Sequence, residues 1–102
     1  MIGILESKRK QISEVCARYG VARLHIFGSA LHDDFCPDER DLDLLVEFAP
    51  MELYARVDAY FGMLDELRAL FDVKVDLVMA GAVKNPYIAR EIERTKEVLY
   101  AA

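Results

Sequence analysis

The hydrophobic pattern predicts a small α/β (α+β) domain with a small sheet. Three observations carry this reading: short runs of alternating apolar residues, helical periodicity between and around those runs, and a length of 102 residues that suits one compact domain over 1–102. Apolar residues make up 54% of the chain, enough for a single core. A domain of this size buries a limited fraction of its surface, so its stability margin is expected to be thin or shared with a partner.

Taken in order, Ile12, Val15, Cys16 and Tyr19 recur at helical spacing and Gly20 follows as a stop, which predicts a helix over about 5–19. Arg23 to Phe27 is a short strand ending at Gly28, and Ser29 to Phe35 begins a short helix. Cys36 to Arg40, with Pro37 inside it, is a loop. Leu42 to Phe48 is a strand closed by Pro50. Leu53, Val57, Phe61, Leu64, Leu67 and Phe71 form one stripe, predicting an amphipathic helix over 51–71 despite Gly62, which costs about 1 kcal/mol against Ala. Val73 to Met79 is a third strand, Pro86 starts a last helix carried by Ile88 and Ile92, and Val98 to Tyr100 is a short strand or a tail.

Side chains alternate between the faces of a strand. Leu42, Leu44, Val46 and Phe48 therefore share one face and Asp41 and Asp43 the other; Val73, Val75, Leu77 and Met79 share one face and Asp76 the other. If these strands are neighbours, helices pack on one side of the sheet and three acids gather on the opposite side. Such a gathering is costly without a cation, because like charges raise one another's pKa. Magnesium relieves it, since it prefers oxygen ligands and takes one or two carboxylates together with substrate phosphates. Two such ions about 3.5–4 Å apart can serve both the attacking and the leaving oxygen of a displacement. Gly28-Ser29 follows the first strand directly: glycine lets a phosphate approach the backbone, serine offers a hydroxyl and an amide, and a helix starting there adds its free N–H groups.

Composition narrows the partners. A formal net charge of −5 argues against a general nucleic-acid binder. No apolar run is long enough to span a membrane and the N-terminus has no signal-peptide pattern, so a soluble cytoplasmic protein is expected. Cys16 and Cys36 match no zinc pattern and are expected to be free thiols. His25 and His32 are expected in structural or surface roles, and Lys74, Lys84 and Arg90 as solvated or ion-paired cations. Tyr54, Tyr60 and Phe61 are expected in core or interface positions, with Tyr87 and Tyr100 as further candidates for contact with a partner.

F-G-S at 27–29, D-L-D at 41–43 within DLDLLVEF, and KVDLV at 74–78 together resemble the nucleotidyltransferase superfamily. Compact size and the ending KNPYIAREIERTKEVLYAA are similar to the minimal nucleotidyltransferases, antitoxin-like partners of HEPN-domain toxins. The resemblance implies a nucleotidyltransferase-fold mixed sheet in which Gly28 and Ser29 bind the triphosphate and Asp41, Asp43 and Asp76 ligate two magnesium ions. Asp76 is further implied to help deprotonate the acceptor hydroxyl. It also implies ATP as substrate and transfer of AMP to a tyrosine of a HEPN toxin, as the antitoxin of a type VII pair. Where many relatives carry Arg-Gly after Gly-Ser, this chain has His32-Asp33, and Arg40 replaces a common serine before Asp41. Two alternatives stand beside this reading: an antitoxin that neutralises its toxin by binding alone, and a transferase acting on a small molecule.

Overall fold

The computed structural model describes residues 7–27, 42–71 and 74–102. Its elements are α1 (Arg9–Arg18), β1 (Val21–Phe27), β2 (Leu42–Phe48), α2 (Leu53–Phe71), β3 (Val75–Met79), α3 (Pro86–Thr95) and β4 (Glu97–Ala101). The short helix expected over Ser29 to Phe35 and the loop over Cys36 to Arg40 lie outside the described residues.

The four strands form one mixed sheet in the order β3-β2-β1-β4. β1 is antiparallel to both β2 and β4, and β2 is parallel to β3. The expected mixed α/β architecture is present. The terminal segment, expected as strand or tail, is a strand paired along β1, with Leu99 buried beneath it. β1 is longer than expected, starting at Val21 rather than Arg23.

α1 packs on β1 and β4, α2 packs on β3, and the two helices touch each other. Between them and the sheet lies one core. It takes Ile12, Val15 and Cys16 from α1, Leu24 and Ile26 from β1, Leu42, Leu44 and Val46 from β2, Met63, Leu67 and Phe71 from α2, and Val75 and Leu77 from β3. Gly20 ends α1 at φ +71°, a left-handed conformation that favours glycine, in keeping with its expected role as a stop.

Two expectations about helix faces are corrected. In α2, Leu53, Val57 and Phe61 are exposed, while the buried set is Ala59, Met63, Leu64, Leu67 and Phe71. Steps of four residues overshoot a turn of 3.6, so the row from Leu53 to Phe61 rotates off the face that meets the sheet. In α3, Ile88 is exposed and Ile92 is the buried residue. That helix starts as expected, with Pro86 in its first turn and the Asn85 side chain accepting hydrogen bonds from the backbone N–H groups of Tyr87 at 2.9 Å and Ile88 at 3.3 Å.

Gly62, a cost to α2 by propensity alone, has a packing reason. A Cβ there would lie 2.8 Å from the Tyr19 ring, whose hydroxyl donates to Glu66 on the same helix. No helix among the described residues is long and apolar enough to cross a membrane.

Candidate active site

The sheet register brings two of the expected acids together. Leu42 pairs with Val75, Asp43 with Asp76 and Leu44 with Leu77 across the parallel β2–β3 ladder. Adjacent strands lie about 4.8 Å apart, and residues in register project to the same side. Leu42, Leu44, Val75 and Leu77 are all buried in the core beneath α1 and α2, so Asp43 and Asp76 stand side by side on the opposite face. Asp43 is half-buried and Asp76 exposed. The Leu42 N–H donates to the Lys74 carbonyl at 2.9 Å, which holds the start of the ladder in that register.

On the other side of β2, Phe27 pairs with Asp43. The last residue of β1 is therefore level with the aspartates, and Gly28-Ser29 follows it in the chain. Gly28, Ser29 and Asp41 themselves lie outside the described residues, as do His32, Asp33, Cys36 and Arg40. Among the described residues no group of three acidic, histidine or cysteine side chains is placed to share a metal ion.

α3 adds to the expected layering. β3 and β4 are opposite edges of the sheet, and α3, in the segment between them, lines a cavity together with His25 and Leu45 of the aspartate face. There Ala89 and Ile92 of α3, with Glu93 and Lys96, enclose a cavity of about 230 Å³ against His25, Leu45 and Glu47 of the sheet. His25 pairs with Leu45, one row along the sheet from the Phe27–Asp43 pair. Leu45 and Ile92 are buried yet separate from the main core. His25, expected in a structural or surface role, is only 6% exposed, and its Nδ1 has no hydrogen-bond partner among the described residues. Burial holds its pKa below the ordinary histidine value, with a smaller push from the Lys96 ammonium.

One signal for this second buried cluster was present in the sequence. Leu44-Leu45-Val46 is a continuous apolar run inside an otherwise alternating strand, which marks cover on both faces.

Of the other side chains singled out from the sequence, Tyr54 and Phe61, expected in core or interface positions, are exposed and lie outside the core. Lys74, Lys84 and Arg90 are exposed, and Lys84 Nζ donates to the Gly81 carbonyl at 3.5 Å. Tyr60 is half-buried, its hydroxyl donating to the Leu77 carbonyl and its ring edge-on to Phe61 at 5.1 Å. Tyr54 and Tyr87 are exposed and Tyr100 is half-buried. Cys16 is a free, fully buried thiol.

The chain is thus a mixed four-stranded sheet with α1 and α2 on one face and Asp43 beside Asp76 on the other. The family model of the nucleotidyltransferase domain matches residues 8–99, and the chain belongs to that family. A candidate protein adenylyltransferase of Methanocaldococcus jannaschii is 39% identical over 90 residues, covering 88% of this chain and 85% of that protein. The solved structure of a candidate minimal nucleotidyltransferase superposes with a TM-score of 0.74 at 27% identity, covering 91% of this chain and 90% of that one. A chain of the complex between a tri-AMPylated Shewanella oneidensis HEPN toxin and an MNT antitoxin shares the fold. Its TM-score is 0.64 at 17% identity, covering 96% of this chain and 73% of that one.

Proposed function

We propose that this chain transfers AMP from ATP to a tyrosine hydroxyl of a HEPN-domain toxin and so acts as that toxin's antitoxin. The observation that carries this reading is the register of Asp43 against Asp76 on one sheet face, level with the end of β1 that leads into Gly28-Ser29. The named activity of the Methanocaldococcus relative supports the reaction. The AMPylated toxin in the Shewanella complex supports the acceptor.

In this reading Gly28 and Ser29 hold the β- and γ-phosphates through backbone N–H groups and the serine hydroxyl. Asp43 and Asp76 fit magnesium: they are hard oxygen donors in register on adjacent strands, one half-buried and one exposed, and Asp41 lies two residues before Asp43 on the same strand pattern. Two magnesium ions, when bound there, supply the positive charge that offsets the charge developing on the phosphates. Asp76, the more exposed of the two described acids, faces the acceptor and takes the proton of its hydroxyl. The freed oxygen bonds to the α-phosphorus, the bond from that phosphorus to the bridging oxygen breaks, and pyrophosphate leaves with the electron pair.

Incubation of the chain with its HEPN partner, α-labelled ATP and magnesium is the test. The toxin acquires label, and Asp43→Asn and Asp76→Asn each reduce the rate by at least about a hundredfold. If wild type transfers no label, and Asp43→Asn neutralises the toxin as well as wild type, the protein acts by binding alone and the transferase reading is wrong.

A further inference from the structure

The cavity beneath α3 lies on the aspartate face, but no residue lining it has a part in the chemistry above. Its floor residue Leu45 is two residues along β2 from Asp43, about 7 Å on the same face. The direction is set by the register: Phe27, the last residue of β1, pairs with Asp43, and His25 and Leu45 pair one row further from that end of the strand. A nucleotide whose β- and γ-phosphates sit at Gly28-Ser29, and whose α-phosphate sits at Asp43, has its nucleoside left to place.

The lining suits an uncharged flat ring. Leu45, Val83, Ala89 and Ile92 supply apolar walls. The charges at the rim are engaged: Lys96 Nζ pairs with Glu93 at 2.9 Å, and Glu47 pairs with Arg23 at 3.3 Å. Neither cation is left over to meet a phosphate. At the floor, His25 offers a ring nitrogen that is buried and has no partner among the described residues. Leaving a buried polar atom unmatched is costly, and a ligand carrying a complementary group on its ring edge removes that cost.

We propose that this cavity takes the purine ring of the bound ATP, with His25 Nδ1 hydrogen-bonded to the base edge and Ala89 and Ile92 against its face. The assignment rests on the proposed transferase reading. The acceptor's phenol is the poorer occupant, because its single polar atom has to reach the α-phosphorus at the aspartates, leaving nothing to pair with His25 one row away.

Titration calorimetry with magnesium and either ATP or inorganic tripolyphosphate tests it, on wild type, Ala89→Phe, which fills the cavity, and His25→Leu, which removes the polar floor. Each variant is expected to weaken ATP by at least about threefold while tripolyphosphate affinity stays the same. A smaller loss for ATP, or an equal loss for both ligands, overturns the cavity assignment while leaving the transferase reading in place. If Ala89→Phe does not fold, His25→Leu decides. Failure of wild type to bind ATP overturns the transferase reading itself, and the cavity assignment falls with it.

Discussion

His25 and Cys16 are both buried titratable side chains, and burial acts on them in opposite directions. It pushes the Cys16 thiol up to about 12, so the group stays protonated and inert in the core. It pulls His25 below 6.5, because the imidazolium loses its hydration and also faces the Lys96 ammonium; Glu47 and Glu93 pull weakly the other way. The fold therefore favours neutral His25. Its contribution to stability is complete above pH 6.5 and is lost as pH falls through the lower folded value, where the unfolded chain binds the proton and the folded one resists it. Urea unfolding followed between about pH 7.5 and 5.5 is expected to show stability falling with acidification, with a shallower fall in His25→Leu. An equal slope in the two proteins contradicts the burial of a neutral imidazole. None of this was legible locally: His25 alternates with Leu24 and Ile26 as a solvent-facing strand residue does, and the helix that covers it comes from the far end of the chain.

At the level of the element, α2 shows where periodicity is informative and where it misleads. Its presence and length follow from its apolar spacing, but the stripe drawn from Leu53 through Phe61 is on the wrong arc. Which arc is buried depends on where the sheet lies, and that is not a property of the helix. Gly62 is a second case. Propensity alone makes Gly62→Ala favourable by about 1 kcal/mol, whereas crowding against the Tyr19 ring costs about 1–3 kcal/mol. Because that ring is held by its hydroxyl at Glu66, crowding prevails, and Gly62→Ala is expected to destabilise by about 1 kcal/mol in urea unfolding. In a Tyr19→Ala background the same change is expected to stabilise by up to about 1 kcal/mol. The same sign in both backgrounds would show that the ring is not what Gly62 makes room for.

For the whole molecule, the site is a product of strand order. Asp43 and Asp76 are distant in sequence and come together only because β2 and β3 are parallel neighbours, with α2 as the connection that makes parallel pairing possible. Ligand linkage reports on the assembled site. On the proposed reading, magnesium with ATP at about a hundred times its Kd is expected to add about 2.7 kcal/mol, a rise in Tm on the order of 10 °C for a chain this short. Asp43→Asn is expected to lose most of that rise in a thermal melt, and an equal rise in the variant is evidence against the site as drawn.

What the sequence determined by itself is local: the alternation in each strand, the helical spans, and the separation of apolar rows from Asp43 and Asp76. These follow from periods of 2 and 3.6, which need no knowledge of distant residues. The match of Gly-Ser, Asp-x-Asp and the third acid to the nucleotidyltransferases was legible for the same reason, as a short pattern readable along the chain. The tertiary structure alone decided that Asp43 stands in register with Asp76, that α3 lines a cavity with residues of the aspartate face, and that His25 is buried there. Each of these depends on which long-range surfaces exclude water together, and a single segment's periodicity does not encode its partner.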